Sequence, residues 1–122
     1  MARSMDEGEG WAEFYLKDFI HTPGFKGVVA EKDSVIHGFI FGASRQWWKG
    51  TEFFIHEMCV RADTERTGIG TNMFAYLDQI LAEEGIQNIA LLTSRGIPAE
   101  QFYLKNGFQE IDNIVFMAKR LK

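Results

Sequence analysis

Cysteine is almost absent from this chain. Cys59 is the only one in 122 residues, so no internal disulfide can form and no zinc site can be built from cysteine partners. No stretch of about 18 uninterrupted apolar residues occurs, which excludes a membrane-spanning helix. The first ten residues, Met1 to Gly10, hold no apolar core of the kind a secretion signal needs. Internal repeats, low-complexity tracts and Pro/Ser-rich linkers are missing as well. So is an excess of basic charge: 13 Lys and Arg stand against 17 Asp and Glu, for a net charge of −4. Non-specific binding to nucleic acid needs a basic surface and is therefore not expected. His21 and His37 show no ligand spacing with acidic partners and read as structural, so no metal is expected. These absences lead to the expectation of a reducing, cytoplasmic setting with neither a nucleic acid nor a membrane as partner.

What is present describes a globular domain. Hydrophobic residues make up 46% and charged residues 25%, a balance that supports a packed core in a chain of one-domain length. Residues 1–10 read as a flexible lead and 11–122 as a single domain. Trp11, Phe14, Tyr15 and Phe19 recur at helical spacing and predict a short helix over Trp11 to Ile20, stopped by Thr22-Pro23-Gly24. Strands are predicted over Phe25 to Glu31, Val35 to Ser44 and Glu52 to Val60, joined as an antiparallel meander. Gly38 and Gly42 interrupt the second strand, where glycine marks a bulge or a close backbone approach. Trp47 and Trp48 sit in the connection before the third, and alternation allows only one of them to point inward.

After Val60 the period changes. Ile69, Met73, Leu77, Ile80 and Leu81 share one face of a helix whose C-terminus is marked by Gly85. A short apolar strand, Ile86 to Leu92, follows. Pro98 opens a second helix that ends at Gly107, and Phe108 to Leu121 reads as a long closing strand. The order β-β-β-α-β-α-β, with a helix in front, predicts an α+β fold with a mixed, mostly antiparallel sheet flanked by helices.

Two stretches carry the chemistry. In the first, Glu57-Met58-Cys59-Val60 ends a strand, and Arg66-Thr67-Gly68-Ile69-Gly70-Thr71 opens a helix. Backbone N–H groups at a helix N-terminus form an anion site, and glycine lets a phosphate approach closely. The same two glycines also suit a plain strand-to-helix turn. The second stretch is Ala99-Glu100-Gln101-Phe102-Tyr103-Leu104-Lys105-Asn106-Gly107-Phe108.

Together these stretches resemble the paired motifs of the GNAT superfamily of acetyl-CoA-dependent N-acetyltransferases. One is an (Arg/Gln)-x-x-Gly-x-(Gly/Ala) pyrophosphate loop; the other is an Ala-x-x-x-Tyr-x-x-x-Gly-Phe helix. Ala99, Tyr103, Gly107 and Phe108 match the second at every position, and Val35-Ile36-His37-Gly38-Phe39 is similar to the family's glycine-containing strand. The resemblance runs from about Phe25 to the C-terminus. It departs from the family at Glu65, which replaces Arg or Gln, and at Gly96, which replaces an asparagine seven residues before the tyrosine. It departs also in front, where a first strand is missing. Either the chain is a minimal version, or a partner subunit completes the fold, which predicts a homodimer.

The resemblance implies acetyl-CoA as cosubstrate and a small-molecule amine, cationic by preference, as acceptor. Tyr103 would protonate the departing thiolate and Glu57 would take the proton of the ammonium. The family role for Met58, Cys59 and Val60 is to hold pantetheine as a pseudo-strand, splayed from the neighbouring strand. Arg66, Thr67, Gly68, Ile69, Gly70 and Thr71 would hold the pyrophosphate. Histidine titrates in a range suited to a base, but alternation sets His56 on the face opposite Glu57, so only one of them can serve. Cys59 reads as a small buried apolar residue. Competing readings are a non-catalytic acyl-CoA-binding module and a partner-dependent subunit on the same fold.

Overall fold

A computed structural model describes residues 2–5, 19, 21–47, 50–62 and 67–121. The helix expected over Trp11 to Ile20 lies outside these residues except for Phe19, as do Trp48, Glu65 and Arg66. The chain divides into two compact units, Met1–Leu92 and Thr93–Lys122.

The first unit is built on a five-stranded sheet in the order β1-β2-β3-β4-β5. Its strands are β1 (Ala2–Ser4), β2 (Phe25–Lys32), β3 (Val35–Trp47), β4 (Gly50–Val60) and β5 (Asn88–Ala90). Consecutive pairs up to β4 are antiparallel, and β5 pairs with β4 in parallel. The predicted meander and mixed sheet are therefore present, and helix α1 (Ile69–Glu83) precedes β5 as the crossover that a parallel neighbour demands.

The front of the chain corrects the sequence reading. The strand expected to be missing is supplied by Ala2–Ser4, inside what read as a loose lead, paired with Val28–Ala30. Arg3 Nε donates to Glu31 Oε1 at 3.0 Å, the Ser4 and Tyr76 hydroxyls lie 3.1 Å apart, and the Met5 N–H donates to the Gly27 carbonyl at 2.8 Å. These three residues carry too little pattern to read as a strand; a ready-made partner edge makes them one.

The core lies between the sheet and α1. Met73, Phe74, Leu77 and Leu81 of α1 are buried, as are Val28, Ala30, Ile40, Phe53 and Ile55 of the strands. The helix ends as expected at Gly85: its N–H bonds the Ala82 carbonyl and the Ile86 N–H bonds the Leu81 carbonyl, a Schellman closure.

In the second unit, α2 spans Pro98–Lys105 with proline in its first turn. The long strand expected over Phe108 to Leu121 is not there; a turn at Asp112–Asn113 leads into residues 114–121, which form no strand or helix. Strand-like composition becomes a strand only when a neighbouring backbone bonds to it.

Candidate active site

β4 positions the acidic candidate, and it does so through a bulge. Gly42 of β3 stands opposite Ile55, but Phe41 stands opposite Glu57, so His56 is an inserted residue. Before the insertion Phe53 and Ile55 face the core; after it Met58 and Val60 take over that face, paired with Ile40 and Gly38. Glu57 and Cys59 pass to the opposite face with Phe41 and Phe39. Gly42 makes room for this: a Cβ there would collide with the Phe54 carbonyl oxygen and lie 2.9 Å from the Ile55 Cα.

Two expectations are overturned by the same insertion. His56 does not oppose Glu57. Its ring packs against Phe41, with centroids 5.4 Å apart, and against Phe19 at 4.6 Å, on the face that Glu57 shares. Cys59 is exposed rather than buried, because strict alternation with Phe53 and Ile55 is broken between them. Apolar side chains surround this spot: Met5 and the rings of Phe19, Phe25 and Phe39 pack on Phe41. Sequence alone offered one signal for the bulge, the glycine at position 42.

β4 also has an open side. β5 pairs only with Glu52, Phe53 and Phe54. From Ile55 to Val60 the β5-facing side of β4 bonds no strand among the described residues. Met58, Cys59 and Val60, the residues that the resemblance assigns to pantetheine, lie within this stretch. Eight residues beyond Val60, Gly68 caps α1 with φ 85°, a left-handed conformation that glycine adopts without strain. Among the described residues no side chain caps this end, and no acidic residue occupies its first turn. Thr67 precedes the cap, Ile69 and Gly70 are buried, and Thr71 is exposed in the first turn. The open strand side can bond an extended arm that carries amides, and the uncapped helix terminus can hold a pyrophosphate.

A second bulge, which the sequence reading missed, places His37 as an inserted residue between the pairs Ala30–Gly38 and Glu31–Ile36. The Arg61 N–H donates to the His37 carbonyl at 2.8 Å, and a cleft beside it is lined by Ile36, His37, Gly38, Phe39, Cys59 and Arg61. The buried His37 Nδ1 has no hydrogen-bond partner among the described residues.

Tyr103 belongs to the second unit and sits on α2. The Tyr-x-x-x-Gly-Phe spacing has a local cause. Gly107 (φ 94°) donates to the Leu104 carbonyl and Phe108 donates to the Tyr103 carbonyl, closing the helix in a second Schellman motif. Its usual apolar contact is made by the Tyr103 and Phe108 rings, edge to face at 5.7 Å, with Phe102 against the other side at the same separation. Burial holds the Tyr103 phenol above its ordinary value of 10.0, so it carries its proton through neutral pH. Gly96, at the position of the family's asparagine, donates its N–H to Glu100 Oε1 at 2.8 Å.

Residues 23–110 match the model of the acetyltransferase (GNAT) domain. The chain belongs to the GNAT acetyltransferase family. A search of curated protein sequences finds no significant match. Among solved structures, the aminoglycoside N-acetyltransferase AAC(6')-Iy in complex with CoA is similar, with a TM-score of 0.82 at 17% identity over 98% of this chain and 99% of that one. Another is the aminoglycoside acetyltransferase meta-AAC0020 from an uncultured soil metagenomic sample, in complex with sisomicin. It gives a TM-score of 0.81 at 16% identity over 100% of this chain and 96% of that one. AAC(6')-Iy with the bisubstrate analogue CoA-S-monomethyl-acetylneamine gives 0.79 at 17% identity, covering 98% and 97%. At these identities the likeness is one of fold.

Proposed function

We propose that the protein is a cytoplasmic N-acetyltransferase that moves an acetyl group from acetyl-CoA to a primary amine, with a small cationic molecule as acceptor. The observation that carries this reading is the open side of β4 from Ile55 to Val60, followed by a helix whose N-cap is Gly68, with no side-chain cap among the described residues. The family match supports the reaction type, and the aminoglycoside acetyltransferases among the structural neighbours support a small amine as acceptor. No helix among the described residues is long and apolar enough to cross a membrane.

Acetyl-CoA supplies the activated acyl group. In this reading Met58, Cys59 and Val60 hold the pantetheine arm, and Thr67, Gly68, Ile69, Gly70 and Thr71 hold the pyrophosphate, with Arg66 adding charge. Glu57 takes a proton from the ammonium, which frees the nitrogen lone pair to attack the thioester carbon. The carbon–nitrogen bond forms and the carbon–sulfur bond breaks. Tyr103 delivers its phenolic proton to the departing sulfur, and the second proton of the attacking nitrogen, shed as the amide forms, restores the phenol.

Calorimetric titration with acetyl-CoA and with CoA tests the reading first. Saturable binding of one ligand per chain is expected, followed by amine-dependent release of free thiol. No binding up to millimolar ligand would overturn it.

A further inference from the structure

One row of residues crosses three strands on the face that carries Glu57. Gly27 of β2 stands opposite Phe41 of β3, and Phe41 stands opposite Glu57 of β4. Side chains directly opposite on one face are neighbours, so the middle of such a row influences both ends. The middle here is Phe41, which is 2% exposed. Its ring lies 5.3 Å from that of Phe19 and 5.4 Å from that of His56, the residue inserted just before Glu57.

The Gly27 end of the row has no side chain of its own, and Met5 fills its place. The Met5 N–H donates to the Gly27 carbonyl at 2.8 Å. A Cβ on Gly27 would lie 2.9 Å from the Met5 Cβ, Sδ and Cε alike, so the thioether lies along the glycine. From there Met5 packs on Phe41. β1 holds it in place through its pairing with Val28–Ala30, the Arg3–Glu31 ion pair and the Ser4–Tyr76 contact. Methionine is unbranched and flexible, which suits it to a gap of this irregular shape.

We propose that Met5 is a positioning residue for proton transfer at Glu57, acting through Phe41. Met5 backs the Phe41 ring, Phe41 backs the His56 ring, and the bulge so held fixes where Glu57 points. The inference rests on the reading in which Glu57 accepts the proton of the ammonium. Removing the Met5 side chain opens a void over Gly27, and a packed interior closes a void only by moving the groups that line it. Phe41 is the large side chain that lines this one. Any shift of its ring passes to the inserted His56 and from there to Glu57. A displacement of about 1 Å at a reacting group costs up to about 100-fold in rate.

The test is steady-state kinetics of Met5→Ala, made alone and in a Glu57→Gln background. Alone, it should lower kcat about tenfold while CoA affinity, read by calorimetry, stays unchanged. In the Glu57→Gln background it should cost nothing further, because the group it positions is gone. Met5→Leu keeps the volume and should return kcat to within about twofold of the parent. Gly27→Ala displaces Met5 without deleting a side chain and should also lower kcat, so the test stands even if Met5→Ala does not fold. Leu81→Ala, in the core beneath α1, controls for lost stability and should leave kcat per folded chain unchanged. Parent kcat in Gly27→Ala or Met5→Ala overturns the proposal. So does an equal loss in Leu81→Ala, or a full further loss in the Glu57→Gln background. Parent kcat in Glu57→Gln itself removes the proton-acceptor reading instead, and the positioning role falls with it.

Discussion

Phe41 stands opposite Glu57, while its neighbour Gly42 stands opposite Ile55. That slip of one residue decides which β4 side chains reach solvent. In a regular strand Glu57 would follow Phe53 and Ile55 into the core beneath α1, where an unpaired carboxylate costs several kcal/mol. The inserted His56 turns Glu57 outward and gives the core positions to Met58 and Val60.

Gly42→Ala should therefore be strongly destabilising. The new Cβ meets the Phe54 carbonyl and the Ile55 Cα, both backbone atoms that cannot step aside. A loss of about 2 kcal/mol or more is expected, read as a lower urea midpoint with unchanged slope.

Glu57→Gln should lower kcat by about 100-fold or more, with little change in CoA affinity, if Glu57 is the proton acceptor. His56, lodged between Phe19 and Phe41, shares its face. His56→Gln is expected to cost less than Glu57→Gln. Steady-state kinetics of the two variants beside the parent compares the two groups directly, and a larger loss at His56 would reassign the base.

Tyr103→Phe should abolish most turnover while CoA binding, followed by calorimetry, is kept. Burial raises the phenol above its ordinary 10.0, so the proton-donating form is present below that value and is lost only as pH rises beyond it. The alkaline fall in kcat due to this group is expected above pH 10.0. A tyrosine-dependent fall near neutrality would contradict the assignment.

Glu110 accepts a hydrogen bond from the Arg95 guanidinium, which holds its carboxyl below the ordinary 4.5. Whatever this exposed pair contributes is present above 4.5 and is lost as pH falls through the lowered value. Carbon NMR titration should find Glu110 below 4.5, and Arg95→Met should move it back upward.

Much of this was legible in the sequence because its causes are local. Gly85 and Gly107 end their helices through hydrogen bonds that span five residues or fewer, and Tyr103 meets Phe108 for the same reason. The α1 stripe of Ile69, Met73, Leu77 and Leu81 follows from helical period alone. The strand at Ala2–Ser4 was not legible, since it depends on the edge of β2. The closing strand was read from composition, but composition does not supply the backbone partner that a strand requires.

By itself, then, the sequence determined α1 and α2 with their ends, the antiparallel meander, and the paired motifs that place the chain in its family. Each depends on residues near one another along the chain, where period, caps and turn chemistry act. Tertiary structure alone decided that Glu57, Cys59 and His56 share a face. Pairing register is a relation between distant segments, and one inserted residue reverses every side chain that follows it.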